Sequence, residues 1–274
     1  MQLYHSLILL VYFCRQNKKS LRNFSSSALF VGRNYMYLEE TSSTNSYAHR
    51  IIQNNLITDG TLVFTDFQTK GVGQRGKPWQ SEARKNLLGS FILKPRFDPL
   101  KGSFINFAAT LGIFEAINEY FSGRVKIKWP NDILVDNLKI GGILIENVIV
   151  KEKIKFTVVG IGINVNQTQF DGLENVTSFS LLTGDPERRE DIMNEISNKL
   201  EENYNSLLDG ELSYLKKRFE QNLKGIEQNI KYIDKKTGEQ STGKLVGVSD
   251  EGSLVIENGK EALHFTNGAI EIVN

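Results

Sequence analysis

The chain has 274 residues, of which 40% are hydrophobic and 24% are charged, and its formal net charge is +1. This composition is typical of one large globular domain, alone or with a small companion, and the near-neutral charge gives no electrostatic reason to bind nucleic acid. A single cysteine, Cys14, excludes an intramolecular disulfide and a cysteine-rich zinc site, and the three histidines are too far apart in sequence to predict a metal centre.

The first 38 residues contain no Asp or Glu and five Lys or Arg. Their apolar run at 7–13 is far below the ~20 residues that span a bilayer, so we predict no membrane segment there. We interpret residues 1–33 as a leader of uncertain role in a cytoplasmic protein. An organelle transit peptide remains an open alternative, because stretch 15–27 is acid-poor and contains Arg and Ser.

From residue 35 onward the pattern is that of a globular domain. Hydroxyl side chains at 42–44 precede apolar residues at helical spacing, which predicts a helix N-terminus. Apolar runs and helical repeats then predict a strand at 61–67, a loop at 68–79, a strand at 86–93 and a buried-face helix at 104–121.

A β-rich stretch follows, with strands predicted at 125–129, 133–135, 143–150 and 154–165. The links between these strands are too short for parallel crossovers, so we expect antiparallel neighbours. Asp185-Pro186 is predicted to open a long helix with Asp as the cap and Pro in the first turn, and a second helix is predicted at 211–223.

After Gly225 short strands are predicted at 230–233, 243–248, 253–256 and 262–265, and Asn258-Gly259 indicates a tight hairpin. Such spacing suggests a small barrel. We therefore predict an α/β (α+β) fold with a mixed, largely antiparallel sheet and helices at 34–224, followed by a barrel domain at 225–274.

The loop at 71–79 (GVGQRGKPW) fits two phosphate-binding patterns only in part. No helix follows to complete a dinucleotide fingerprint, and Pro78 replaces the Ser or Thr that a nucleotidase phosphate loop needs for magnesium. Its glycines nevertheless allow backbone amides to approach an anion, and Arg75 and Lys77 add positive charge. The pattern favours a loop that closes over a polyphosphate, with a mobile solvated loop as the alternative.

A second cluster of unusual residues begins at Lys128, which is predicted to end a strand just before Pro130-Asn131-Asp132. A lysine on a sheet face is ordinarily a solvated charge. Here a Gly141-Gly142 pair follows inside a strand, where glycine usually marks close approach of backbone or ligand.

At these residues the chain resembles the biotin–protein ligase family, from about residue 29 to the C-terminus. The matching motifs are Ser43-Thr44-Asn45, the loop at 68–79, Lys128-Trp129-Pro130-Asn131-Asp132, Lys139-x-Gly141-Gly142-Ile143-Leu144-x-Glu146, Gly160-x-Gly162-Ile163-Asn164 and Thr177-Ser178. Each motif is short, but six in the right order are specific together. The resemblance implies a class II synthetase-like catalytic domain and an SH3-like C-terminal barrel.

The family reaction implies ATP and biotin as substrates, with Mg²⁺. Biotin is activated as biotinyl-5′-AMP and then joined to a lysine of a biotin carboxyl carrier protein, in acetyl-CoA carboxylase or another biotin carboxylase complex. The resemblance leaves open a monomer or a homodimer. We expect no DNA binding, because only 42 residues precede Ser43 and they show no paired amphipathic helices for a winged helix.

The resemblance also implies roles for individual residues. Lys128 and Arg75 are the expected catalytic residues. The expected biotin-binding residues are Ser43, Thr44, Asn45, Gln68, Val72, Gly73, Gln74 and Lys128. The expected ATP-binding residues are Arg75, Lys77, Asn131 and Asn164. No residue is assigned as a metal ligand.

One position departs from the family pattern. In the family this loop usually reads Gly-Arg-Gly, and the arginine helps to hold the biotin carboxyl and the adenylate. In this chain Val72 stands in place of that arginine. This departure motivates a non-catalytic biotin-binding relic as one alternative. A lipoate or octanoate attachment enzyme is another, although the Arg-Arg-x-x-Gly-Gly-Gly loop usual in those enzymes is absent.

Overall fold

The computed structural model describes residues 26–53, 57–259 and 261–273. The apolar run at 7–13 and Cys14 therefore lie outside the described residues, as does most of the leader. Two sheets organise the described part of the chain, and five helices pack around the larger sheet.

The larger sheet has seven strands in the order β1-β2-β3-β7-β6-β5-β4. They are β1 (Tyr35–Thr41), β2 (Thr61–Gln68), β3 (Leu87–Leu93), β4 (Val125–Lys128), β5 (Asp132–Val135), β6 (Leu138–Val150) and β7 (Lys153–Ile163). Only β1 and β2 pair in parallel, and every other neighbouring pair is antiparallel. The predicted mixed, largely antiparallel sheet is confirmed.

The helices are α1 (Thr44–Ile52), α2 (Gly102–Tyr120), α3 (Phe179–Thr183), α4 (Arg189–Leu208) and α5 (Leu212–Gln221). α2 is the core helix, and α4 packs closely along it at Gly112, where a Cβ atom would lie 2.7 Å from the Leu200 Cα. Pro99–Tyr120 is long and apolar enough to cross a membrane by length and composition, but 67% of that window is buried inside the fold. Its hydrophobicity is accounted for by the core.

The predicted start of the long helix at Asp185-Pro186 is wrong, since α4 begins at Arg189. The intervening backbone is held outside a helix by side chains. Glu187 N donates to Asn166 Oδ1 at 2.9 Å and Glu187 O accepts from Asn166 Nδ2 at 2.8 Å. Asp185 N donates to Thr183 Oγ1 at 3.3 Å. Short polar side chains thus compete successfully with helix formation.

The smaller sheet is antiparallel, with the order β11-β10-β9-β8-β12. Its strands are β8 (Asn229–Asp234), β9 (Gln240–Val248), β10 (Leu254–Asn258), β11 (Glu261–Phe265) and β12 (Ile270–Val273). This arrangement is consistent with the expected SH3-like barrel. The hairpin after Asn258 agrees with the sequence prediction, whereas β12 was not predicted. The domain limits at 33/34 and 224/225 stay predictions.

Candidate functional site

One cavity of about 820 Å³ lies where α1, the loop at 71–79, strands β4 to β7 and the smaller sheet meet. All twelve residues that the family resemblance singled out line it, although they come from distant parts of the sequence. The sheet order explains this convergence, because β7 places its glycines beside both β3 and β6. The cavity walls also include residues that the sequence did not indicate, from the smaller sheet in particular.

The N-terminus of α1 forms one wall of the cavity. Ser43 caps the helix, with Oγ accepting from Ser46 N, as predicted. Thr44 N and Thr44 Oγ1 both donate to Gln68 Oε1, at 2.7 and 3.2 Å. Because the Gln68 oxygen already accepts two hydrogen bonds, Gln68 has its Nε2 group to donate to a ligand.

Asn45 offers a hydrogen-bond acceptor to the cavity, whereas Gln68 offers a donor. Its Oδ1 accepts from Ser90 Oγ at 2.6 Å, and Ser90 is fully buried on β3. A carbonyl oxygen has two lone pairs, so Oδ1 can accept one further hydrogen bond from a ligand. Gln68 as a donor beside Asn45 as an acceptor matches a cyclic urea, which carries one carbonyl and two N–H groups. Ser90 follows no motif and was missed in the sequence.

The loop at 71–79 is folded back on itself. Gly73 N donates to Lys77 O at 2.7 Å, Trp79 N donates to Gly71 O at 2.9 Å, and Val72 pairs with Pro78. The Gly73 amide, one of the loop amides expected to approach an anion, is therefore engaged within the loop. For this amide to contact an anion, the turn must rearrange.

Arg75 connects this loop to the smaller sheet. Its guanidinium donates to the backbone carbonyls of Asn267 and of Gly268, the latter at 3.3 Å, and Gln74 Oε1 accepts from Asn267 Nδ2 at 3.0 Å. Arg75 lines the cavity but is anchored on protein carbonyls, and no sequence motif predicted this anchoring. This geometry favours a role in ordering the loop over a direct role at the polyphosphate.

Replacing Arg75 by alanine tests that role. We expect backbone amides in the loop at 71–79 to exchange with solvent faster in the absence of any ligand, because the guanidinium anchor is lost. Hydrogen–deuterium exchange read by mass spectrometry would measure this, with Lys77→Ala as the matched control. Unchanged exchange in the Arg75 variant, with weaker nucleotide binding, would instead assign Arg75 to the phosphates.

The Trp79 indole ring packs against the strand glycines. A Cβ atom at Gly162 would sit 2.5 Å from the indole ring and one at Gly142 would sit 3.2 Å from it. The predicted close approach of backbone at the Gly141-Gly142 pair is found at Gly141, where a Cβ atom would lie 3.0 Å from the Gly162 carbonyl oxygen, whereas Gly142 meets the Trp79 side chain. Trp79 Nε1 is buried and has no hydrogen-bond partner among the residues that the structure describes. Lys139 Nζ lies 5.6 Å from the ring centroid and pairs with Asp132 at 2.6 Å.

Five cationic side chains line the cavity. The cationic lining residues are Arg75, Lys77, Lys128, Lys139 and Lys235. The hydrogen bond and charge of Lys235, reinforced by Lys77 and Lys128, hold the pKa of the Glu271 carboxyl below its ordinary value. Burial, and then the charge of Lys128, lower the pKa of Lys224. The field around half-buried Lys128 therefore suits a polyanion.

The two predicted nucleotide-binding asparagines both use their amide nitrogens on backbone carbonyls. Asn131 Nδ2 donates to Ile143 O, and Asn164 Nδ2 donates to Thr177 O at 3.0 Å. Their side-chain oxygens are the atoms that they can offer to a ligand. Among the described residues, no three His, Cys, Asp or Glu side chains form a group that could hold a metal ion.

The chain is similar in sequence to known protein ligases. A model of the biotin/lipoate A/B protein ligase family matches residues 37–164. The bifunctional ligase/repressor BirA of Bacillus subtilis is 30% identical over 246 residues, which cover 88% of this chain and 75% of that protein. The biotin–[acetyl-CoA-carboxylase] ligase of Paracoccus denitrificans is 32% identical over 130 residues, covering 47% of this chain and 53% of that one.

Among solved structures, the biotin protein ligase from Aquifex aeolicus in complex with biotin and ATP has a TM-score of 0.72 and 27% sequence identity. The match covers 88% of this chain and 99% of that one, so it includes the smaller sheet as well as the larger. The fold agreement therefore extends well beyond residues 37–164.

Proposed function

Because the chain belongs to the biotin/lipoate A/B protein ligase family, as a biotin–protein ligase, we propose how its cavity carries out ATP-dependent biotinylation. Biotin and ATP bind together in the cavity and react to form biotinyl-5′-AMP. Biotin then passes to a lysine of a biotin carboxyl carrier protein. The observation that supports this assignment best is the convergence of all twelve expected residues on a single cavity.

The first step joins two anions. A carboxylate oxygen of biotin attacks the α-phosphorus of ATP, a new P–O bond forms, and the bond to the β-phosphate breaks to release pyrophosphate. Mutual repulsion opposes this approach, so the site must supply fixed positive charge where the groups meet. Half-buried Lys128 and exposed Lys77, which both line the cavity and both lower the pKa of the Glu271 carboxyl, provide that charge.

The second step needs no nucleophile from the enzyme. The unprotonated ε-amine of the carrier lysine attacks the biotinyl carbonyl, an amide bond forms, and AMP leaves as the mixed anhydride breaks. The lysine proton passes to solvent. Catalysis then depends on orientation and charge stabilisation, which the cavity offers without a Cys–His or Ser–His pair.

Mg²⁺ would accompany the ATP phosphates and neutralise part of their charge. This ion is commonly bound through one or two carboxylates together with substrate phosphates. The cavity lining offers Asp132, Glu174 and Glu271, two of which pair with lysines at 2.6 and 2.9 Å. These residues fit an ion that is held mainly by the nucleotide.

The hydrogen-bond polarity of the α1 wall favours biotin over a lipoyl or octanoyl acid. Gln68 as donor and Asn45 as acceptor suit the ureido ring, whereas a simple fatty acid offers this wall no N–H group. A site built to hydrogen-bond a polar head rejects analogues that lack it, because buried polar groups are left unpaired. A lipoate attachment enzyme therefore fits the wall less well.

Exchange of labelled pyrophosphate into ATP tests the first step directly. We expect exchange that depends on biotin and is not supported by lipoate or octanoate at equal concentration. Exchange with lipoate but not biotin would reassign the substrate. Biotin binding without exchange would support the non-catalytic alternative that Val72 motivates.

The wider setting of the reaction is also proposed. We assign the carrier to acetyl-CoA carboxylase or a related biotin-dependent carboxylase, and the site of action to the cytoplasm. The absence of sequence-specific DNA binding stays a prediction. A competitor-resistant gel-shift complex at moderate salt would contradict it.

A further inference from the structure

A carboxylate lies directly behind Asn45, beside the cavity. Glu146 Oε2 accepts a hydrogen bond of 2.7 Å from Asn45 Nδ2, and Leu144 O accepts a second at 3.3 Å. Hydrogen bonds to ionised acceptors are shorter and stronger than neutral ones. Both hydrogens of the Asn45 amide are therefore used inside the protein.

These contacts fix which atom Asn45 turns toward a ligand. With Nδ2 committed, Oδ1 is left beside Ser90 Oγ at 2.6 Å and against the bare backbone of Gly160. A Cβ atom at Gly160 would lie 2.1 Å from Oδ1, so a larger residue there would displace the amide. Flipping the Asn45 amide would place its NH₂ group on the Ser90 hydroxyl and turn its oxygen toward Glu146, at the cost of the charge-assisted bond.

His49 holds the carboxylate from the next turn of α1. Asn45 and His49 are four residues apart, so they share one face of the helix. His49 Nε2 lies 3.2 Å from the same Glu146 oxygen that Asn45 contacts. The His49 and Glu146 side chains are 36% and 42% exposed, and a polar contact of such exposure contributes little to global stability. Stability alone therefore does not account for the arrangement.

We propose that Glu146, steadied by His49, is a positioning residue that fixes Asn45 Oδ1 as an acceptor for a ureido N–H of biotin. This rests on the proposed function, which supplies the cyclic urea. A carboxylate behind an amide N–H also polarises that amide and strengthens its oxygen as an acceptor. Glu146 therefore acts on biotin affinity and on the preference for ureido acids, without contacting the reacting atoms.

Glu146→Ala tests the assignment, because it should weaken the binding of biotin and leave the binding of ATP unchanged. We expect the Kd for biotin to rise about tenfold or more, equivalent to ~1.4 kcal/mol per tenfold change. The KM for ATP and the kcat of biotin-dependent pyrophosphate exchange should stay within about twofold of wild type, because Lys128 and Lys77 are untouched. Glu146→Gln should recover most of the affinity, since its amide oxygen still accepts from Asn45.

Glu39→Ala is the matched control, because Glu39 is an exposed carboxylate paired with Arg84 at 3.2 Å and does not line the cavity. Its biotin affinity should equal that of wild type. A biotin Kd within twofold of wild type in Glu146→Ala would overturn the proposal, as would a parallel rise in the ATP KM with a lower melting temperature. Failure of the wild-type protein to bind biotin at all would instead refute the proposed function.

Discussion

Lys128→Ala is expected to lower biotin-dependent pyrophosphate exchange by about 10²–10³-fold, the usual effect of removing one preorganised stabilising group. Lys128 ends β4, and its backbone pairs with Asp132, so the strand register holds its position. Its half-buried side chain lines the cavity and contributes to the shifted pKa values of Glu271 and Lys224. Lys139 also lines the cavity near this turn, but its ammonium is paired with Asp132 at 2.6 Å.

Lys126→Ala is the matched control, because Lys126 lies on the same strand, is exposed and does not line the cavity. It should retain near wild-type exchange, and circular dichroism and thermal melting should show that both variants are folded. Near wild-type adenylation by Lys128→Ala would remove this residue from the mechanism.

Val72→Arg is expected to tighten the hold on biotinyl-5′-AMP. The Val72 side chain is 45% exposed and lines the cavity, so an arginine can be accommodated without filling the core. A hydrogen bond to a charged group contributes roughly 1.5–3 kcal/mol. At 1.4 kcal/mol per decade this corresponds to about 10- to 150-fold in affinity. Arg75 is bound to the smaller sheet, which limits its ability to compensate for the valine.

The measurement is the rate at which preformed intermediate leaves the enzyme in the absence of a carrier, followed by rapid filtration. Val72→Leu serves as a control that changes size without adding charge, and it should leave the rate near that of wild type. If Val72→Arg releases the intermediate at the wild-type rate, position 72 does not face the ligand, and the role carried over from the family must be withdrawn there.

The sequence predicted correctly those elements that depend on interactions between residues close together in the chain. The cap at Ser43, the apolar repeat of α2 and the short links between β4 and β7 all act within a few residues, and the structure agrees with each. The strand glycines also indicated a close approach correctly. The residue that packs against Gly162 could not be predicted from the sequence, because Trp79 lies in a loop some eighty residues away along the chain.

Most of the misses come from contacts between segments that are separated in sequence. Asn166 holds Glu187 out of a helix, and β12 forms only by pairing with β8. Arg75 meets carbonyls almost two hundred residues further along the chain. No periodicity or motif in the sequence indicates such pairings. The positive charge of Arg75 made a phosphate contact a reasonable expectation, but its hydrogen bonds to the Asn267 and Gly268 carbonyls could not be predicted.

The central claim is that this cavity joins biotin to a carrier lysine at the expense of ATP. The most direct test incubates the protein with ATP, biotin and a biotin carboxyl carrier domain, and reads the intact mass of the carrier. We predict a mass increase of one biotinyl group that requires ATP and disappears when the acceptor lysine of the carrier is replaced by arginine. An unmodified carrier, under conditions in which a known biotin ligase completes the reaction, would contradict the account.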